Sequence, residues 1–201
     1  MPQAVAALAY GTDTIAAVDK IVGPGNAYVN EAKLLVSRDI AIDLPAGPSE
    51  VIVVLGRGGD RRLAELEVAA QAEHGAGTVC RIVDGSDLDA ALAEVERAAP
   101  EHLVLLGEAV ALADRVRNAG AVFVGEHSPV AAGDYATGGN HVLPTGGRAR
   151  STGGLGLEAF LKPVTVQRLT RDGLEHVRPV VEALAHAEGM TAHAEAVQPR
   201  D

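Results

Sequence analysis

Between residues 51 and 124, short apolar runs alternate with longer amphipathic stretches, and this alternation limits the possible folds more than any other feature. Residues 51–55, 79–83, 103–106 and 121–124 read as strands, and the continuous apolar run 51–55 is of the kind a parallel sheet buries. Between them lie three stretches with helical spacing. The first begins near Asp60, a candidate N-cap, and places Leu63, Leu66 and Ala70 on one face. The others span residues 87–98 and 109–118. A β–α–β–α order calls for an α/β fold: a parallel sheet with helices on its faces, joined by right-handed crossovers.

The core must be built from small aliphatic groups. Of 201 residues 47% are apolar, yet only two Phe and three Tyr are aromatic. The net charge of −10 argues against non-specific binding to nucleic acid or to an anionic membrane. The single cysteine, Cys80, lies in a strand-like run and reads as core filler, so no disulfide framework forms within one chain. We find no basic leader and no apolar run of about 18 residues, and expect a soluble, cytoplasmic protein.

Chemistry-bearing residues cluster outside the strands. Gln71 and His74 close the first long helix, three residues apart and therefore on one face. From there an amide oxygen and an imidazole nitrogen can reach one divalent ion. Pro100 stops the next helix and places Glu101 and His102 at a helix–strand junction. Residues 133–145 form a long glycine-rich loop carrying Asp134, a hard oxygen ligand, and His141.

The flanks are less regular. A small apolar helix over residues 4–9 reads as the interior of a domain. Strands are expected over residues 19–22 and 40–44, with Gly23-Pro24-Gly25-Asn26 and a helix over 27–37 between them. A strand, glycine turn and helix leave free N–H groups where a phosphate fits, although the three-glycine dinucleotide fingerprint is absent. Residues 146–156 read as a boundary. Beyond them we expect a helix over 157–161, a strand over 164–166, a helix over 178–187 and a tail that keeps Glu188 and His193. Two histidines, a carboxylate and an amide drawn from these segments suit zinc. His127, His176 and His186 receive no role.

Six stretches together resemble histidinol dehydrogenases. They are Gly-Pro-Gly-Asn at 23–26, Asp-Leu-Pro-Ala-Gly-Pro-Ser-Glu-Val at 43–51, Gln-Ala-Glu-His at 71–74 and Pro-Glu-His at 100–102. The last two are Gly-Asp-Tyr-Ala-Thr-Gly-Gly-Asn-His-Val-Leu-Pro-Thr at 133–145 and Ala-Glu-Gly-Met-Thr-Ala-His at 187–193. The resemblance implies zinc ligands Gln71, His74, Asp134 and His193, and an acid–base pair Glu101 and His102. It implies substrate contacts from Ser49, His141 and Glu188 as well as from His102 and the metal ligands, and a contact from Asn26 to NAD. The implied reaction is a four-electron oxidation of L-histidinol through histidinal to L-histidine, with two NAD taking hydride in turn. The implied assembly is a homodimer in which the tail, with Glu188 and His193, completes the partner's site.

The implied fold is an incomplete Rossmann-like parallel sheet flanked by helices, with a small helical C-terminal extension. Its expected parts are a remnant of the NAD-binding domain at 1–48, an α/β domain with most zinc and catalytic residues at 49–155, and a dimerisation tail at 156–201. The chain departs from the family in lacking a long leading segment, in a shorter stretch between His74 and Glu101 with a strand and helix missing after Glu96, and in Lys162-Pro163. Two readings follow: a truncated histidinol dehydrogenase, or a shortened zinc-binding homologue without hydride transfer.

Overall fold

The computed structural model describes residues 2–75 and 77–198. Four strands, β3 (Glu50–Gly56), β4 (Val79–Gly85), β5 (His102–Leu106) and β6 (Ala121–Val124), form a wholly parallel sheet in the order β4-β3-β5-β6. Two shorter strands, β1 (Lys20–Ile21) and β2 (Ala41–Ile42), pair separately and in parallel. The expected strands over 19–22 and 40–44 thus shrink to two residues each. The chain separates into two compact units, one up to Leu161 and one from Lys162 onward.

After their first residues, Glu50 and His102, both central strands are apolar because helices cover both faces of the sheet. Ile52, Val54, Leu103 and Leu105 pack on one side with α4 (Leu88–Ala98) and the 3₁₀ helix Gly107–Arg115. Val51, Val53, Val104 and Leu106 pack on the other with α3 (Arg61–Ala72) and Val130. Successive side chains point to opposite faces, so an uninterrupted apolar run feeds two cores. Asp60 caps α3 through Arg62 N–H, and Asp87 caps α4 through the N–H groups of Asp89 and Ala90. Cys80 is half-buried on the edge strand, against the second of these cores. The expected α-helix over 109–118 is instead the 3₁₀ stretch, which begins directly where β5 ends.

The carboxyl edge of the sheet, where open α/β folds ordinarily hold ligands, is closed by main chain. A Cβ on Gly56 would stand 2.4 Å from Ala109 N, one on Gly107 would stand 2.4 Å from Gly59 N, and one on Gly85 would stand 2.8 Å from Gly56 Cα. Only glycine permits that approach. The open ground lies at the amino edge. There Ala99, the one described non-glycine residue with positive φ (49°), turns the chain out of α4 just before Pro100 and Glu101.

Beside the large sheet, α1 (Pro2–Tyr10) and α2 (Ala27–Val36) bury Val5, Ala9, Ile21 and Val36 in a small core of their own. Downstream of β6, α5 (Val130–Tyr135) takes in Asp134 and Tyr135, which the sequence reading placed in a loop. The helix expected over 157–161 is a single 3₁₀ turn, Leu157–Phe160.

The second unit is built on α6 (Arg171–Ala187) and α7 (Thr191–Ala196). The helix expected over 178–187 starts earlier: Thr170 caps it through Gly173 N–H, and the helix runs through Pro179. The strand expected over 164–166 does not form, and Val164 and Val166 are exposed. The tail is held rather than frayed: Arg178 Nε donates to Val197 O (2.8 Å) and Gln198 Nε2 to Glu182 Oε1 (2.8 Å). Among the described residues no helix is long and apolar enough to cross a membrane.

Candidate active site

His102 is the first residue of β5 and sits beside Val51 of β3. Its Nδ1–H donates to the carbonyl of Glu50 (2.9 Å), which fixes the tautomer and leaves Nε2 bare. That Nε2 is buried without a hydrogen-bond partner, 3.9 Å from Asp134 Oδ1. The Phe123 ring lies 6.0 Å away, tilted by 40°. The imidazole is therefore held on one side and available on the other.

Glu101 and Glu50 clamp each other across the two strands. The Glu101 carboxylate accepts Glu50 N–H (2.8 Å), and the Glu50 carboxylate accepts Glu101 N–H (3.4 Å) and Gly146 N–H (3.0 Å). Burial pushes the Glu101 carboxyl above the ordinary carboxylate range, against the pull of His102, the Glu50 N–H and the Ser49 hydroxyl. A carboxyl raised in the folded state contributes stability that is complete below its unfolded pKa and is lost as pH climbs through the raised value. Above about pH 4.3, thermal stability should therefore fall less with rising pH in Glu101→Gln than in the parent. Parallel melting curves from pH 4 to 8 check this.

The other candidates gather next to this pair. Gln71 is buried at 3% exposure with its Nε2 unpartnered, and the ring of His74 folds back to Gln71 O (3.1 Å). Gln71, His74 and Asp134 line one cavity of ≈ 300 Å³. His74 and Asp134 also line a second cavity of ≈ 460 Å³, together with Ser49, Glu101, His102 and His141. Asp134 reaches both because α5 lies flush on β6: a Cβ at Gly133 would stand 2.4 Å from the Phe123 ring. Among the described residues no three His, Cys, Asp or Glu side chains form a ready-made cation cage. The convergent three are the imidazole of His74, the carboxylate of Asp134 and the amide of Gln71, which would offer its oxygen; the unpartnered atom of that amide is the donor Nε2. That donor set, one nitrogen and two oxygens, fits zinc with positions left for further ligands.

Asn26 caps α2 through Val29 N–H (3.1 Å), while Gly23, Pro24 and Gly25 line the larger cavity. Glu188 closes α6 and His193 lies in α7, both in the second unit. Sequence reasoning gave no role to Glu50, to the buried ion pair Lys33–Asp43 in the cavity wall, or to Glu67, one turn before Gln71 on α3. Burial raises the Glu67 carboxyl, and the charges of His102 and Asp134 act on it. The four-residue step from Glu67 to Gln71 was a legible signal; the partners of Glu50 and Lys33 were not.

The sequence pattern of the histidinol dehydrogenase family matches residues 2–86 and 77–201. The chain belongs to this family. It is 43% identical to the histidinol dehydrogenase of Haloarcula marismortui over 238 aligned residues, covering 98% of the chain and 56% of the relative. With that of Aliivibrio fischeri it is 42% identical, covering 97% and 54%. The crystal structure of histidinol dehydrogenase from Elizabethkingia anophelis superposes with a TM-score of 0.89 at 35% identity, covering 97% of the chain and 54% of that structure. The chain thus spans about half the length of the histidinol dehydrogenases it matches. An alignment of 238 residues exceeds the chain's 201, so the relative carries internal sequence that is absent here. The two family matches meet within residues 77–86, at β4. That corrects the expectation of a strand and helix missing after Glu96: the break precedes α4.

Proposed function

We propose that the chain carries the zinc and acid–base centre of a histidinol dehydrogenase, which oxidises L-histidinol through histidinal to L-histidine. The observation that carries this reading is the bare Nε2 of His102, fixed through Nδ1 in the wall of the ≈ 460 Å³ cavity that His74 and Asp134 also line. Gln71, His74 and Asp134 would hold zinc, joined by His193 from a partner's tail in a cytoplasmic homodimer. When bound, zinc would supply a Lewis acid that positions the substrate, and NAD would supply the hydride acceptor.

The protein's own groups handle protons and water. His102 Nε2 takes the hydroxyl proton as hydride leaves the carbinol carbon, while the Glu50 carbonyl holds its other nitrogen and stabilises the imidazolium that forms. Glu101, buried beside it, then activates the water that adds to the aldehyde. Its raised basicity suits that role. Ser49, His141 and Glu188 are assigned to substrate contact, and the Gly23–Gly25 loop with Asn26 to the cofactor side.

Purified protein supplied with zinc, L-histidinol and NAD tests the reading by NADH formation. A second reading, a zinc-binding homologue without hydride transfer, draws on the modest size of the β1–β2 sheet beside the Gly23–Gly25 loop. Stoichiometric zinc with no NADH selects it. Deleting residues 188–201 should weaken zinc binding about 10-fold or more, because a ligand and its neighbour are lost together. Unchanged affinity by chelator competition removes the tail from the site.

A further inference from the structure

The face of α3 that carries Gln71 starts one turn earlier with Glu67. Glu67 lines the same cavity as Gln71, His74 and Asp134. Its Oε2 accepts the main-chain N–H of Val130 (3.2 Å), the first residue of α5. Pro129, just before it, offers no capping side chain. Val130 is itself buried in the core beneath.

The spacing matches along the two helices. Glu67 to Gln71 is four residues, one turn or about 6 Å along α3, and Val130 to Asp134 is the same step along α5. Tying Glu67 to Val130 therefore sets the height of Asp134 against Gln71.

We propose that Glu67 is a positioning residue: its carboxylate joins α3 to α5 and thereby holds Asp134 level with Gln71 and His74. This rests on the reading above, in which those three groups ligate zinc. Glu67 does not touch the metal; it removes the freedom of a six-residue helix whose displacement by a fraction of an ångström would open the ligand set.

Competition against a chromophoric chelator reads the zinc dissociation constant of the full chain. Glu67→Ala should raise it about 10–100-fold. Glu67→Gln keeps an acceptor oxygen on the same stem and should stay within about threefold of the parent. Hydrogen exchange of the amides at 130–136 in zinc-free protein should quicken in Glu67→Ala and not in Glu67→Gln. If Glu67→Ala does not fold, Glu67→Asp, one methylene too short, replaces it with the same expectation. Unchanged zinc affinity and exchange in the shortened variant, or equal loss in Glu67→Gln, overturns the proposal. A parent chain that takes up no zinc refutes the ligand set instead, and the metal-free exchange measurement still decides whether Glu67 holds α5.

Discussion

Replacing His102 with Asn should lower NADH formation from L-histidinol by about 10²–10⁴-fold, the range a positioned proton acceptor supplies. Zinc should remain bound. The asymmetry follows from the ring's surroundings. Nδ1 is committed to Glu50 O, and Nε2 has no partner but faces Asp134 at 3.9 Å. An Asn side chain can keep a donor toward Glu50 O but presents no basic nitrogen to the cavity. If zinc leaves together with activity, His102 belongs to the ligand set and its assignment to proton transfer is wrong. If both persist, the proton is taken by another group, with Glu101, whose carboxylate lies 3.5 Å from His102 Nδ1, the next candidate.

The largest expected loss of stability lies across the cavity, in the wall behind the Gly23–Gly25 loop. Lys33 is 2% exposed and pairs with Asp43, whose side chain is fully buried. Lys33 Nζ also donates to Gly23 O (2.9 Å), and Asp43 Oδ2 accepts Gly23 N–H (2.7 Å). Lys33→Met leaves a buried carboxylate without its counter-charge. Breaking such a pair costs about 3–5 kcal/mol, where an exposed pair would cost about 1 or less. For a chain of this size the melting midpoint should fall by roughly 6–20 °C. The double variant Lys33→Met with Asp43→Asn removes the stranded charge and should regain most of that loss. A single variant that melts within about 2 °C of the parent would show that the pair holds nothing. The loop should loosen with the pair, because both members of the pair bind Gly23.

Much of the α/β scaffold was legible. Runs buried on both faces announced a parallel sheet, and Asp60 and Asp87 marked the starts of their helices. Where the reading failed, a longer-range contact had outweighed the local pattern. The helix was read over 178–187, yet the Thr170 cap starts α6 at Arg171, and the tail contacts of Arg178 and Gln198 accompany its passage through Pro179. Residues 164–166 have β-branched side chains but no neighbouring strand, and a strand without a partner has nothing to pair its main chain. Asp134 was assigned to a loop because glycine surrounds it; Glu67 and the flush packing of Gly133 on Phe123 support a helix there.

The sequence by itself determined the ingredients: four strands in order, the identity of the proton-handling and ligand-type side chains, and their match to one family. Those properties are carried by residue type and near-neighbour spacing, which a linear chain displays. Only the tertiary structure decided which edge of the sheet is open. Main-chain contacts among Gly56, Gly59, Gly85 and Gly107 close the carboxyl end, leaving the amino end to Glu101 and His102. It also decided that Glu50 sets the tautomer of an imidazole 52 residues away. Strand register and helix height bring such groups together, and both arise from packing between segments whose separation along the chain carries no signal of their contact.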